Sequence, residues 1–408
     1  MLFFVDEQID ETITYVDLLK ILSGKDSVKK YIVNNNNITF LIDLTFAMIH
    51  GLEVYILDGK FSKLELEHLG ITNSALESEY SVPKKFFNDI CEIYDNIYEN
   101  MKSTKLYIYS SGTTGNPKVF SHSLNSLMRN IKINRKHGSD IWGLGYNLSH
   151  FAGIQVFLQA FFNKNTIVNL FGTNSNNANN LLKKYNCNCL SATATFYRNF
   201  ILISNEVNFN VKNITFGGEI VNSTLIEKVN KKFPKAKIRN IYASTEAGSL
   251  LSGVGELFKI PDNLSQLIKI SENNHLLLHS SLLENKNITN EWYDTNDIVM
   301  KKENGWFKFL KRKTDFINIG GYKVNPNEVE EIILKHDNVV DVAVYGRDNS
   351  VMGNILVADI KVNEHYNENV LRKEIIQLVR KFLQDYKVPR VINFVKNIQY
   401  NRTGKKVR

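Results

Sequence analysis

Short apolar runs alternate with segments of helical spacing along most of the chain. The runs "LYIY" (106–109), "TIVNL" (166–170), "NITFGGE" (213–219) and "IRNIY" (238–242) read as strands. Between them, "HSLNSLMRNIKINRK" (122–136), "NANNLLKKY" (177–185) and "STLIEKVNKKF" (223–233) read as helices. The last sets Leu225, Ile226, Val229 and Phe233 on one face. Ser121 and Ser123 are candidate caps for the first. Repeated β-then-α order predicts a parallel sheet covered by helices on both sides.

The pattern changes after "GWFKFLKRKTD" (305–315). A helix over "NPNEVEEIILKHD", strands over "VVDVAVYG" and "ILVADIKV", a long amphipathic helix over "VLRKEIIQLVRKFLQDY" and a last strand over "VPRVINFV" follow. The prediction is an α/β protein with a large domain over 1–312 and a small C-terminal α+β domain over 313–408. The asparagine tracts at 34–37 and 174–180 read as polar loops or helix starts.

Composition narrows the possibilities. Hydrophobic residues make up 43% and charged residues 23% of the 408, an ordinary globular balance. No eighteen-residue apolar run suggests a membrane span. The N-terminus "MLFFVDEQIDETITY" has no basic leader, so a cytoplasmic location is expected. Three cysteines, Cys91, Cys187 and Cys189, suit a reducing compartment and read as core thiols. "CNC" at 187–189 is at most half of a metal site, with no matching pair nearby. A net charge of +8 is compatible with phosphate-rich ligands or an acidic partner. The basic residues form no stripe interleaved with aromatics, so nucleic acid is not expected as a partner.

The chemistry concentrates first in "YIYSSGTTGNPKVF" (107–120). A glycine-rich turn after a strand presents backbone N–H groups to phosphate oxygens. Ser110, Ser111, Thr113 and Thr114 add hydroxyls, Gly112 and Gly115 add backbone freedom, and Lys118 adds a charge. The G-x-x-x-x-G-K-[ST] loop does not fit, because Pro117 precedes the lysine and Val119 follows it.

This string resembles the phosphate-binding motif of the adenylate-forming superfamily, which comprises acyl- and aryl-CoA synthetases, peptide-synthetase adenylation domains and luciferases. Further motifs follow in the family's order. "NLSHFAG" resembles its H-x-x-G segment, "LSATATFYRNFI" a pocket-lining helix start, and "TFGGEIV" the glycine turn beside the adenine. "NIYASTEAG" resembles the Y-G-x-T-E box with Ala243 in place of glycine. The segment 291–330 resembles the T-G-D and G-R-x-D hinge regions, and "NRTGKKVR" the terminal motif with the catalytic lysine.

The resemblance implies the adenylate-forming synthetase fold, with a mobile small domain. It implies activation of a small carboxylic acid by ATP with Mg²⁺, releasing pyrophosphate, then transfer to the thiol of CoA or of a carrier protein's phosphopantetheine supplied in trans. The implied catalytic residues are Lys405, Thr245, Glu246 and His150, with Glu246 on the metal. Nucleotide binding falls to Ser110–Gly115, Lys118, Gly218, Glu219, Tyr242, Asp297 and Arg312, and the pantetheine arm to Gly320 and Gly321. Phe151, Leu158 and Phe162 suggest an apolar acyl lining.

The match has departures. Asn296 stands where T-G-D has glycine, Lys311 precedes the ribose arginine, and Thr314 aligns with the hinge acid, followed by Asp315. Only about 105 residues precede the loop, so the N-terminal part looks trimmed. A ligase that stops at the adenylate or makes an amide, and a non-catalytic relative, are the competing functions. Joint retention of Lys118, Glu246, Asp297, Arg312 and Lys405 argues against the latter.

Overall fold

A computed structural model describes residues 1–408 apart from 62, 111–117, 204–205, 245, 284–289, 313–316, 320–321, 350–352, 364–365, 401–405 and 408. Its largest sheet has eight strands, ordered Gly248–Val254, Lys237–Ser244, Asn213–Gly217, Cys189–Ala192, Ile141–Gly145, Thr166–Asn169, Leu2–Asp6 and Glu11–Thr14. The six inner strands are mutually parallel, and both edge strands run antiparallel. Thr166–Asn169 and Cys189–Ala192 are buried at every position, as expected of strands covered on both faces.

A second sheet holds the parallel strands Tyr31–Asn34, Glu53–Asp58 and Lys105–Ser110, closed by the antiparallel Lys118–Ser123. The loop 111–117 therefore joins two antiparallel strands, with Ser110 opposite Lys118. The long helix predicted over 122–136 is a five-residue helix, Leu124–Met128. Ser123 caps it by accepting from the Ser126 N–H, whereas Ser121 lies in the strand. The sequence there alternates well enough to extend the hairpin, and the sheet partner outweighs weak helical spacing.

The single α/β pattern expected up to residue 305 also breaks early. Residues from Phe258 to Arg312 form a five-stranded antiparallel sheet ordered Phe258–Lys259, Trp306–Arg312, Trp292–Lys301, His275–His279 and Ile268–Ile270. Beyond it, Val339–Asn349, Gly353–Val362 and Val391–Phe394 form a three-stranded sheet. The helices Pro326–Ile333 and Glu368–Phe382 bury Val329, Ile333, Leu371, Ile375 and Val379 in the same separate core.

Asparagine supplies many of the helix starts. Asn36, Asn174, Asn222, Asn325 and Asn367 each accept a backbone N–H at a helix N-cap. A short side-chain carbonyl reaches the exposed N–H groups of the first turn, which is worth about 1 kcal/mol per cap. The two polar tracts thus punctuate the fold. Cys187 and Cys189 are buried as expected, but Cys91 is exposed in the first turn of Ile90–Glu99, so it is not a core thiol.

Candidate active site at the carboxyl ends of two sheets

Four of the motif segments follow adjacent parallel strands. His150 follows Ile141–Gly145, and Thr195 follows Cys189–Ala192. Gly218 and Glu219 follow Asn213–Gly217, and Glu246 follows Lys237–Ser244. These strands are neighbours in the sheet. The crevice outside the carboxyl ends of strands is where open α/β sheets bind ligands.

The second sheet meets the first at this end. Asn34 and Asp58 close their own parallel strands. The Asn34 amide donates to Asn147 Oδ1 at 3.2 Å, and Asn147 Nδ2 donates to Asp58 Oδ2 at 2.9 Å. His150 Nε2 lies 3.4 Å from the same Asp58 oxygen, at ion-pair distance but out of hydrogen-bond alignment. Asn147 thus ties both sheets together directly before the imidazole. Gly153 explains the glycine of H-x-x-G, since a Cβ there would sit 2.2 Å from the Asn147 carbonyl oxygen. The helix Phe151–Phe161 approaches the turn too closely for any side chain.

Gly218 is exposed with φ of +78°, a conformation that suits glycine. Its neighbour Glu219 accepts from the Thr195 N–H at 2.7 Å and the Thr195 hydroxyl at 2.9 Å. The carboxylate therefore ties the glycine turn to the first turn of Ala194–Ile203. Glu246 is half-buried on the turn after its strand.

Asp297 is 6% exposed, and its Oδ2 accepts the Tyr242 hydroxyl at 2.6 Å. Its backbone N–H donates to Thr295 Oγ1. One face of the Tyr242 ring stacks on Phe309, with centroids 4.4 Å apart and planes 14° from parallel. Asp297 and Arg312 are opposite each other on paired strands. Asn296 has φ of +60°. Among side-chain residues, asparagine is one of the few that enters this region readily, so it replaces the family glycine at low cost.

Phe151, Leu158 and Phe162 are all buried in the large hydrophobic core, so packing accounts for them. Among the described residues no cluster of three or more His, Cys, Asp or Glu side chains could hold a metal. Burial pushes the Cys187 thiol up to about 12 and raises Cys189 as well, so neither is a thiolate near neutral pH. Ser111–Gly115, Thr245, Thr314, Asp315, Gly320, Gly321 and Lys405 lie outside the described residues, as do the side chains of Ser110, Lys118, Lys311 and Arg312. Asp58, Asn147 and Phe309 were not anticipated. The alternation of "WFKF" was a signal for Phe309; Asn147 opens the quoted "NLSHFAG" segment without being singled out there, and Asp58 lies outside the quoted motifs.

An open, mostly parallel sheet with such turns at its carboxyl ends defines an α/β protein whose ligand crevice lies at that edge. The chain belongs to the adenylate-forming superfamily: residues 38–266 match the AMP-binding enzyme family and residues 328–405 its C-terminal domain. It is 25% identical over 342 residues to a 2-succinylbenzoate–CoA ligase of Listeria innocua, covering 78% of this chain and 70% of that one. It is similar in fold to the o-succinylbenzoate coenzyme A synthetase of Bacillus subtilis in complex with ATP and magnesium ion. That match has a TM-score of 0.70 at 16% identity, covering 99% of this chain and 95% of that one. A benzoate CoA ligase from Burkholderia xenovorans superposes with a TM-score of 0.73 at 17% identity, covering 100% and 95%. Among the described residues no helix is long and apolar enough to cross a membrane.

Proposed function

We propose that this protein activates a small carboxylic acid with ATP, forming an acyl-adenylate and pyrophosphate, and passes the acyl group to the thiol of CoA. The observation that carries the proposal is the convergence of His150, Glu219, Glu246 and the Tyr242–Asp297 pair around the carboxyl ends of neighbouring strands. Several relatives of similar sequence or fold are CoA ligases, which favours CoA over a carrier-protein phosphopantetheine as acceptor. Three unpaired cysteines are compatible with a cytoplasmic setting.

In the first step a carboxylate oxygen of the acid attacks the α-phosphorus, and the bond to the bridging oxygen of pyrophosphate breaks. Both reactants are anions, so positioning and neutralisation dominate the barrier. The Tyr242 ring, held by its stacking on Phe309, and the glycine turn at Gly218 flank the adenine in this reading. Glu219 acts by holding that turn through Thr195. Asp297, oriented by the Tyr242 hydroxyl, takes the ribose hydroxyls together with Arg312. Ser110–Gly115 and Lys118 hold the departing phosphates, and Thr245 meets the α-phosphate. Lys405 bridges carboxylate and α-phosphate as charge develops.

Glu246 is a hard oxygen donor with solvent access at this edge, so its carboxylate would hold Mg²⁺. Bound there, the ion supplies charge neutralisation on the leaving pyrophosphate. In the second step the thiol sulfur attacks the acyl carbon, and AMP leaves with the electron pair of the broken C–O bond. His150 borders the thiol's approach, and Gly320 and Gly321 line the path of the pantetheine arm in the small domain, over 313–408.

Pyrophosphate exchange across a panel of carboxylic acids, followed by thioester assay with CoA, tests this. Exchange with at least one acid and CoA-dependent product are expected. Exchange without a thioester favours an adenylate- or amide-forming ligase, and no exchange with any acid overturns the proposal. Lys405→Ala is expected to abolish exchange and spare thioester formation from a supplied acyl-adenylate.

A further inference from the structure

The strand Val339–Asn349 buries an acid in its first half. Asp341 is fully inaccessible, and its Oδ1 lies 2.7 Å from Lys406 Nζ. Its other oxygen accepts the Tyr400 hydroxyl. Lys406 is also sequestered, with 5% of its side chain exposed. Its ammonium donates to the Val342 carbonyl and sits 3.6 Å from Glu330 Oε2. Glu330, on the helix Pro326–Ile333, in turn accepts the Val344 N–H at 2.8 Å.

Tyr400 and Lys406 are themselves paired as an antiparallel bridge, and the Val407 N–H donates to the Gln399 carbonyl at 2.9 Å. Residues on both sides of 401–405 are thus fastened to each other and to opposite oxygens of one carboxylate. Lys405 immediately precedes one of the two fastened residues.

An ion pair at this depth is a poor way to gain stability, because desolvating both charges offsets most of their attraction. An apolar side chain at 406 would bury more readily. What the charged arrangement adds is direction: an ammonium with fixed acceptors and a phenol on the same carboxylate define register and orientation. Burial alone would raise the Asp341 carboxyl, but Lys406, Arg198 and the donated hydrogen bonds outweigh it and hold it below the usual carboxylate range. Burial, together with Asp341, pushes the Tyr400 phenol well up, so it remains a donor.

We propose that Asp341 is a positioning residue for the adenylate-forming step: by binding Tyr400 and Lys406 it fixes the two residues that flank the stretch containing Lys405. The proposal rests on the function given above for Lys405. Asp341 touches no substrate in this role.

The experiment compares Asp341→Asn, Lys406→Met and the double variant with wild type in the two half-reactions, after thermal melts confirm folding. The double variant removes the Asp341–Lys406 charge pair together and leaves Glu330 its hydrogen bond from the Val344 N–H, so it keeps the test meaningful if a single variant fails to fold. A misplacement of about 1 Å costs about a hundredfold in rate, so pyrophosphate exchange is expected to lose about that much in kcat while KM for ATP changes less than about twofold. Thioester formation from a supplied acyl-adenylate is expected to stay near wild type. Lys406→Arg is expected to restore part of the exchange. Wild-type exchange in a folded variant overturns the positioning role, and so does equal loss in both half-reactions. Failure of the wild-type protein to exchange with any acid overturns the function itself and the proposal with it.

Discussion

Buried carboxylates are handled differently in the two parts of the molecule. In the large part, amides and a hydroxyl hold three of them: Asn37 and Asn169 donate to Asp6, Asn147 donates to Asp58, and Tyr242 donates to Asp297, while Asp140 has His137 at 2.8 Å. In the small part Asp341 and Glu330 gather around a lysine. Amides and hydroxyls fix a carboxylate's direction without adding a charge of their own, which suits residues at a sheet edge that meets ligands. A lysine both orients and compensates, which suits an acid buried where the helix Ala194–Ile203 meets its strand. The buried acid then serves as an anchor for the chain around it.

Removing one partner from each kind of site should separate the two designs. Asp341→Ala leaves buried Lys406 with Glu330 at 3.6 Å and the Val342 carbonyl, takes away Tyr400's acceptor, and is expected to lower stability by about 3 kcal/mol. Asp58→Ala leaves only neutral amide donors and an imidazole to be re-accommodated, for about 1–3 kcal/mol. Urea unfolding midpoints measure both, and equal losses would break the distinction. Gly153→Ala probes the large part's close packing beside Asp58. With a Cβ directed at the Asn147 carbonyl, overpacking is expected to cost about 1–3 kcal/mol. His150 should then be displaced, so thioester formation should fall more than pyrophosphate exchange.

A smaller effect sharpens the role of neutral groups near Asp297. Asn296→Val forces a β-branched residue to φ of +60° and is expected to cost about 1–2 kcal/mol, whereas Asn296→Gly should be close to neutral in thermal melts. The last effect shows only in acid and concerns a histidine outside both clusters. Burial, with Lys85 nearby, lowers His50 from 6.5 to about 4. Its folded-state value lies below its unfolded one, so the unfolded chain binds the extra proton first. Stability is therefore expected to decline as pH falls from about 6.5 towards 4, and His50→Gln should flatten that part of the profile.

Much of the site was legible because its signals are local. A cap needs one short polar side chain within a turn of its helix, so the asparagine tracts announced helix starts at Asn36 and Asn174. The glycine of H-x-x-G and the left-handed glycine in "TFGGE" each answer a demand of a few neighbouring atoms. Motif order then indicated a nucleotide site before any strand was placed.

The spacing over 122–136 misled, because the strand Lys105–Ser110 was a better partner for the start of that segment than an isolated helix; Tyr109, ten residues upstream, is opposite Val119, and Leu106 is opposite His122. The antiparallel sheet after Phe258 was missed for a related reason. Its strands include a pairing bulge between Ile298 and Val299, and the alternate buried positions of Trp292–Lys301 are Thr295, Asp297 and Val299, so polar residues hide the period.

The amino-acid sequence by itself determined the elements whose causes lie within one or two turns: caps, tight glycines, amphipathic helix faces and the ordered motifs. Tertiary structure alone decided which strand ends became neighbours, that Asn147 would join two sheets, and that one carboxylate would hold Tyr400 and Lys406. The physical reason is range. Capping and periodicity act between adjacent residues, whereas sheet pairing and the burial of a charge depend on groups brought from distant parts of the chain, and their free energies exist only once those groups have left water together.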